Sequence, residues 1–369
     1  MSKKIFLGIG AGPIQTGIFV AGAAAGGFER IVLADVDSAL VEALRRHRSI
    51  TVNTAGTDSV RADRYAPIEV YNPDQAADRA ALIEIASQAE VINTALPATR
   101  FYRFCAPWLR EGFERNPAAR RLVYTSENST TAAEELAESV GKSFPSTYFL
   151  DTVIGKMSKV FEAAEGTPAP LVPGFRRGHL VEAFNTIYTS DAPGATECGI
   201  VGLYPRNNLV PFEEAKLYGH NASHLVLALL ARQKGCRFMS EAAQYPELLE
   251  TTRRVLVEEC GLALQRKFAG CDPFFEPAAY TRWAEELIRR MVSPLLNDEV
   301  ARVSRDLARK LGWQDRLIGA IRLCIDTGTP CPTLMRMAAL AARFRALDEL
   351  QSEWPPEGAE LVQKLGQEA

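Results

Sequence analysis

A chain that opens with Ile5-Phe6-Leu7-Gly8-Ile9, turns through Gly10-Ala11-Gly12-Pro13 and continues as the small-residue segment Ile14 to Ala25 has few ways to fold. The natural parse is strand, tight turn, helix. A second apolar run, Ile31-Val32-Leu33-Ala34-Asp35, follows at the spacing of a βαβ unit, whose parallel strands need a crossover of about a dozen residues or more. Gly10 and Gly12 stand at the first two glycines of the dinucleotide fingerprint, where the backbone turns tightly and approaches a pyrophosphate, and Gln15 stands at the third. An acidic side chain about 20 residues further on accepts hydrogen bonds from the ribose hydroxyls of NAD and repels a 2′-phosphate. Asp35 holds that position. Gly10, Gly12, Pro13, Ile14, Gln15 and Asp35 are therefore candidate cofactor contacts, and NAD is the expected cofactor. Arg45, Arg46 and Arg48, on the following helix, keep NADP open as the alternative.

The alternation continues. Apolar runs at Ile68 to Tyr71, Glu90 to Pro97, Arg121 to Ser126, Thr147 to Leu150 and Val181 to Phe184 read as strands. The stretches Ser38 to Arg46, Asp74 to Gln88, Phe101 to Arg115 and Ala132 to Val140 read as helices. Such sheets bind ligands at the carboxyl ends of their strands, which brings in Thr94 and Ala95 as further cofactor contacts. It also places Asn128 at the same edge, where its amide can donate to a developing alkoxide; a turn or helix-capping asparagine is the competing reading. Thr189 to Gly199 is rich in Ser, Ala, Pro and Gly, and from Pro211 onward helical periodicity replaces strand-like runs. The expected architecture is an α/β Rossmann-like domain over 1–200 followed by a mostly α-helical domain over 201–369. Helices are predicted at 212–233, 240–261, 276–291, 295–311, 314–326 and 333–350, with a polar tail from Glu353.

Composition narrows the function. Lys plus Arg is 42 against 45 Asp plus Glu, a net charge of −3, so no basic field invites nucleic acid or an anionic membrane. A small molecule is the expected partner, and nothing in the sequence demands an oligomer. The seven cysteines are scattered without a C-x-x-C spacing, which suits a reducing cytoplasm rather than a disulfide framework or structural zinc. The uncharged stretch Ile5 to Phe28 superficially resembles an export signal or membrane span, but Gly8, Gly10, Gly12, Pro13 and Gln15 interrupt it where such segments are continuously apolar.

Chemistry concentrates in Glu213-Glu214-Ala215-Lys216-Leu217-Tyr218-Gly219-His220-Asn221-Ala222-Ser223-His224, where two of the chain's four histidines fall. At about 100° per residue, Lys216, Asn221 and His224 lie within a sector of roughly 140° of an α-helix. His220 and His224 also have zinc-ligand spacing, but Asn221 replaces the glutamate of the metalloprotease pattern and no third ligand stands nearby, so no metal is expected.

With Lys216-x4-Asn221-x2-His224 in a helical domain behind a nucleotide-binding half, the chain resembles the polyol-specific long-chain dehydrogenases nearly end to end. Within them it is most similar to the mannitol-1-phosphate 5-dehydrogenase branch, through Gly10-Ala11-Gly12, Ala34-Asp35-Val36, Glu127-Asn128 and the segment Arg302 to Leu311 closing with Asp315-Arg316-Leu317-Ile318. The resemblance implies Lys216 as general acid/base, Asn128 and Asn221 as amides holding the substrate oxygen, and His224 as a substrate-orienting group. It also implies zinc-free hydride transfer between NAD and a secondary alcohol, with mannitol 1-phosphate and fructose 6-phosphate as the pair. Gln15 for the third glycine, Gly155-Lys156 for an Asp-Arg pair and a missing proline between Arg305 and Lys310 depart from the pattern.

The chemistry demands the same groups. Oxidising a secondary alcohol needs a base for the hydroxyl proton and donors for the alkoxide, and a lysine serves as base only when its pKa falls from about 10.4. Arg302, Arg305, Arg309 and Lys310 are expected to form a basic stripe on one helix, read either as a phosphate site or as a solvated face. Two rivals remain. A 6-phosphogluconate or β-hydroxyacid type dehydrogenase uses a Lys-x3-Asn spacing, whereas this chain has x4; a non-catalytic nicotinamide-binding sensor has no need of all three groups.

Overall fold

The structure is a computed structural model that describes residues 4–343 together with Pro355, Gly358 and Leu361. The chain divides into two compact units after Leu209, a little beyond the boundary expected near 200, because a last strand still joins the sheet at Leu203–Arg206.

In the first unit, β1 (Ile5–Ile9) is buried throughout, as a central parallel strand covered on both faces should be. It pairs with β2 (Arg30–Ala34) on one side and β6 (Val91–Thr94) on the other. With β3 (Ile50–Ala55), β4 (Val60–Tyr65) and β5 (Ile68–Tyr71) before β6, and β7 (Arg121–Thr125), β8 (Thr147–Val153), β9 (Ser158–Glu162), β10 (Arg177–Glu182), β11 (Ile187–Ser190) and β12 (Leu203–Arg206) after it, two sheets form. The larger has eight strands in the order β12-β11-β8-β7-β6-β1-β2-β5. Its run β5-β2-β1-β6-β7-β8 is parallel and reproduces the dinucleotide-binding order 3-2-1-4-5-6. The order in which strands are added reverses between β1 and β6, and the Gly10–Gly12 turn lies at that switch point.

Period-two alternation sends Phe6, Ile31, Leu33 and Val91 to one face, against Ile18, Phe19, α1 (Ala21–Ala25) and α2 (Ser38–His47). Leu7, Val32 and Ile92 go to the other, against α3 (Ala76–Gln88), α4 (Tyr102–Arg115) and α5 (Ala132–Val140). The uncharged Ile5 to Phe28 stretch thus becomes strand, turn and buried helix, and no helix among the described residues is long and apolar enough to cross a membrane. Arg121 is wholly buried. Its guanidinium donates to the carbonyls of Ala86, Ser87, Asn116 and Ala119 at 2.8–3.2 Å, using carbonyls left open near the ends of α3 and α4.

The smaller sheet, β4-β3-β10-β9, was not expected. The hairpin β3–β4 and strand β9, like β11 and β12 of the larger sheet, lie outside the predicted strands, and β10 starts earlier than the predicted Val181. The signal was present in Ile50-Thr51-Val52, a β-branched alternation; the charges Arg61, Asp63 and Arg64 on β4 obscured it by marking a solvated edge strand.

The second unit is helical. The short helix α6 (Val210–Glu214) passes through a π-helical segment, Ala215–Asn221, into α7 (Ala222–Gln233). Then α8 (Pro246–Arg253) continues through π-helical Arg254–Glu259 into α9 (Cys260–Lys267), and α10 (Pro277–Met291) follows. The predicted helix 240–261 is broken at Tyr245, where Pro246 starts a new helix, and runs on to Lys267. Leu227, Leu256, Leu287 and Met291 share one core. The predicted helix 295–311 is two pieces, α11 (Val300–Val303) and α12 (Leu307–Lys310), separated by Asp306 in the left-handed region at φ 56°. Last come α13 (Ile318–Asp326) and α14 (Pro332–Arg343), whose first turn is capped by buried Glu259 accepting from the Thr333 and Leu334 N–H groups at 2.9 and 2.8 Å. Beyond Arg343 the predicted helix to 350 and the tail from Glu353 lie outside the described residues, apart from the three positions named.

Candidate active site

The turn after β1 is built for close approach by a ligand. Gly10 has φ 85°, and a Cβ there would lie 2.7 Å from the Ala95 carbonyl oxygen; only glycine adopts this geometry without strain. At Gly12 a Cβ would meet nothing within 4 Å, so the surface before the helix start at Pro13 is open, as a pyrophosphate requires. Pro13 and Ile14 are half-buried there. Asp35 is pinned in place: Oδ2 accepts from Ala11 N–H at 2.8 Å and Oδ1 from Asp37 N–H at 2.9 Å. A carboxylate has about four acceptor positions, so both oxygens retain capacity for ribose hydroxyls. These features fit a dinucleotide.

Two candidate contacts are placed elsewhere. Gln15 is wholly buried, its Oε1 accepting from Asn93 Nδ2 at 2.7 Å, while Asn93 Oδ1 accepts from Ser126 Oγ at 2.8 Å. A Cβ on Gly8 would come 2.1 Å from Gln15 Nε2. The close helix–strand packing that the third fingerprint glycine normally provides is met here by a glycine on the strand, with the bulky residue on the helix. Thr94 is also fully buried and donates to Glu127 Oε2 at 2.9 Å; Ala95 instead lines the turn. Of the arginines that kept NADP open, Arg45 pairs with Asp78, Arg46 pairs with Glu42, and Arg48 ends α2 at φ 50°.

Asn128 is exposed in the loop after β7. Beneath it, Glu127 accepts from Thr94 Oγ1, Leu96 N–H at 2.8 Å, Ser126 N–H at 3.1 Å and, by a short bond, the Tyr102 hydroxyl. One buried carboxylate thus ties the loops after β6 and β7 together.

In the helical unit, the residues from Lys216 to Asn221 are wound as a π-helix, not as the α-helix expected. The wider π-turn, closed by i→i+5 hydrogen bonds, brings Lys216 and Asn221, five apart, closer to one face than an α-helix would. The wider turn frees carbonyls, and Ser223 Oγ donates to those of Gly219 and His220 at 2.7 and 3.1 Å. Tyr280, buried against Trp283 and Phe274, wedges its hydroxyl toward Gly219, where a Cβ would lie 2.9 Å from it. Gly219→Ala should therefore cost about 1–3 kcal/mol by overpacking, read as a lower urea midpoint, and reduce turnover by moving Lys216.

Burial and the Arg316 guanidinium bring the Lys216 pKa down to about 8, against the opposing pull of Glu213. Burial, then the His224 and Arg290 charges, pushes His220 well below its usual value. Burial brings His224 to about 4 despite Asp298, whose Oδ2 is 3.9 Å from Nε2. Both imidazoles are thus neutral near pH 7. His224 Nε2 is buried without a hydrogen-bond partner, and buried polar atoms are rarely left so; it is suited to a hydroxyl of a ligand.

The basic stripe does not exist as one helical face. Arg302 forms a two-bond pair with buried Asp298 at 2.6 and 2.5 Å. Arg309 pairs with Asp315 at 3.2 Å, and Arg305 is exposed near Asp306. Lys310 is buried, donates to the Val303 carbonyl at 2.6 Å, and is brought to about 8 by burial and Arg316. Arg316, held by Asp315 at 2.9 Å, lies within electrostatic reach of Lys216, His220, His224 and Lys310. Sequence reasoning missed it, along with Asp298 and the clamp role of Glu127. Arg316 belongs to the Asp315 to Ile318 segment that carries part of the resemblance, while nothing local in the sequence distinguishes Asp298.

Residues 208–365 match the mannitol dehydrogenase C-terminal domain. The chain is 28% identical over 351 residues to a mannitol-1-phosphate 5-dehydrogenase of Halalkalibacterium halodurans, covering 93% of this chain and 89% of that one. It is 26% identical to one of Brevibacillus brevis, covering 93% and 86%. The fold is shared with the Pseudomonas fluorescens mannitol 2-dehydrogenase solved as a ternary complex with NAD and D-mannitol, at TM-score 0.69 and 16% identity over 93% of this chain and 79% of that chain. It is shared equally with a D-sorbitol dehydrogenase, at TM-score 0.70 and 13% identity over 92% and 79%.

Proposed function

A chain that carries a mannitol dehydrogenase C-terminal domain and is related over nearly its whole length to mannitol-1-phosphate 5-dehydrogenases belongs among the polyol dehydrogenases, and we propose that it interconverts mannitol 1-phosphate and fructose 6-phosphate. The observation that carries the chemistry is Lys216, brought to a pKa of about 8 on a π-turn that it shares with Asn221. NAD, when bound, accepts the hydride.

The residues of the chain do the rest. Neutral Lys216 Nζ takes the hydroxyl proton, and in the reverse direction the ammonium returns it to the forming alcohol. Asn221 donates its amide N–H to the alkoxide oxygen, Asn128 is the proposed second amide donor, and His224 Nε2 orients a neighbouring hydroxyl. Arg316 keeps Lys216 depressed and adds positive charge beside it. For the phosphate, Lys310 and Arg305 are the proposed partners. Arg302 and Arg309 are weaker candidates because Asp298 and Asp315 already pair with them. Gly10, Gly12, Pro13, Ile14, Ala95 and Asp35 are the proposed cofactor contacts, with Gln15 and Thr94 supporting that turn from within.

A panel of mannitol 1-phosphate, sorbitol 6-phosphate, mannitol, arabinitol and 6-phosphogluconate, followed by NADH absorbance, tests the reading. The expected result is strongest turnover with mannitol 1-phosphate and loss of the phosphate preference in Lys310→Met. Equal rates with mannitol and its phosphate would overturn the phosphate assignment, and preference for 6-phosphogluconate would overturn the polyol assignment.

A further inference from the structure

The four-stranded sheet is an addition that a dinucleotide-binding fold does not require, yet one of its strands reaches the helix that follows the glycine turn. Gly17 packs so tightly on β10 that a Cβ would lie 2.5 Å from Val181 Cγ1. One residue earlier, Thr16 Oγ1 lies 2.8 Å from His179 Nδ1, both side chains being buried. The same hydroxyl donates to the Gly12 carbonyl at 3.1 Å, which also accepts the Thr16 N–H at 3.0 Å. A hydroxyl has one proton to give. With Thr16 donating to Gly12, the His179 contact requires the Nδ1–H tautomer, whose N–H donates to Thr16 Oγ1. Burial and the nearby Arg177 charge hold the His179 pKa down to about 4, so the ring is neutral. The histidine is itself anchored, its carbonyl accepting from Asn53 Nδ2 at 2.9 Å while Asn53 Oδ1 accepts from Ala169 N–H at 3.0 Å.

We propose that His179 is a positioning residue for the dinucleotide: from the added sheet it holds Thr16, and through Thr16 the Gly12 carbonyl, setting the turn that receives the pyrophosphate. The proposal rests on the cofactor reading above. Gly12 has no side chain to restrain it and open space in front, and glycine loses more backbone freedom on ordering than any other residue. A turn ordered before the ligand arrives binds more tightly than one ordered by it.

The test measures NADH dissociation constants by fluorescence beside saturating-NAD turnover and urea midpoints. His179→Ala should weaken NADH binding about tenfold, the effect of one lost buried hydrogen bond, and raise the KM for NAD equally, with kcat within about twofold. Asparagine carries an N–H where Nδ1–H stood, so His179→Asn should recover most of the affinity. Thr16→Val should reproduce the loss, and the double variant should be no worse than either single change. A merely structural histidine would lower the urea midpoint without the KM-against-kcat split or the rescue by asparagine, and that result overturns the proposal. If His179→Ala does not fold, the near-isosteric Thr16→Val decides, and an unchanged NADH affinity in it overturns the brace. A wild-type chain that bound no NADH would remove the cofactor reading and the brace together, whereas normal wild-type binding with unaffected variants removes only the brace.

Discussion

Replacing Lys216 by alanine is expected to lower polyol oxidation by about 10²–10⁴-fold, the range for a lost general base, and to leave NADH binding in place. The sign of the pH dependence follows from the pKa of about 8. Oxidation needs the neutral amine, so its rate rises with pH and levels off above about 8. Ketose reduction needs the ammonium and falls over the same interval. In Lys216→Ala both profiles flatten, since the titrating group is gone. The experiment is stopped-flow or steady-state NADH absorbance from pH 6 to 10 in both directions. A variant that retained the wild-type pH step would remove Lys216 from the role of base. Arg316→Gln is the companion, because losing the neighbouring guanidinium lets the Lys216 pKa climb and shifts the oxidation profile to higher pH.

Glu127→Ala removes the acceptor of the Thr94 and Tyr102 hydroxyls and of the Leu96 N–H, and one of two acceptors of the Ser126 N–H, which still donates to the Thr94 carbonyl at 2.9 Å. Hydrogen bonds to a charged acceptor contribute about 1.5–3 kcal/mol each, and buried donors left unpaired cost about 1–3 kcal/mol each, without strict additivity. The expected loss is about 3 kcal/mol or more, read from urea denaturation. Turnover should fall with it, because the loop after β7 carries Asn128 and the loop after β6 carries Ala95. Glu127→Gln keeps one carbonyl oxygen and should fall between wild type and Glu127→Ala. If Glu127→Ala were as stable as wild type, the carboxylate would not be the tie between those two loops.

Much of the fold was legible because its signals are local. Ile5–Ile9 and Ile31–Ala34 are continuous apolar runs because a parallel strand is covered on both faces, and glycines mark the turn at the switch point. The added sheet was less legible: β4 is a charged edge strand, β9 is a short, half-exposed edge strand, and β3 pairs with β10, which lies more than 120 residues further along the chain. The site followed the same division. Lys216, Asn221 and His224 stand out by type and spacing within nine positions of sequence. Arg316 is a distant arginine that looks like any other until Asp315 and burial fix its direction. The stripe from Arg302 to Lys310 reads as one helical face only if the helix is continuous, and Asp306 breaks it.

The Lys216 to His224 stretch therefore marks where sequence and tertiary structure part. By itself the sequence determined that a lysine, an asparagine and two histidines share one helical segment behind a nucleotide-binding half, because side-chain chemistry and spacing are properties of the chain. Tertiary structure alone decided that the segment winds as a π-turn, that Tyr280 wedges against Gly219, and that burial with Arg316 lowers the lysine toward neutrality. Those depend on what packs around the helix, and packing is set by residues the local sequence does not contain.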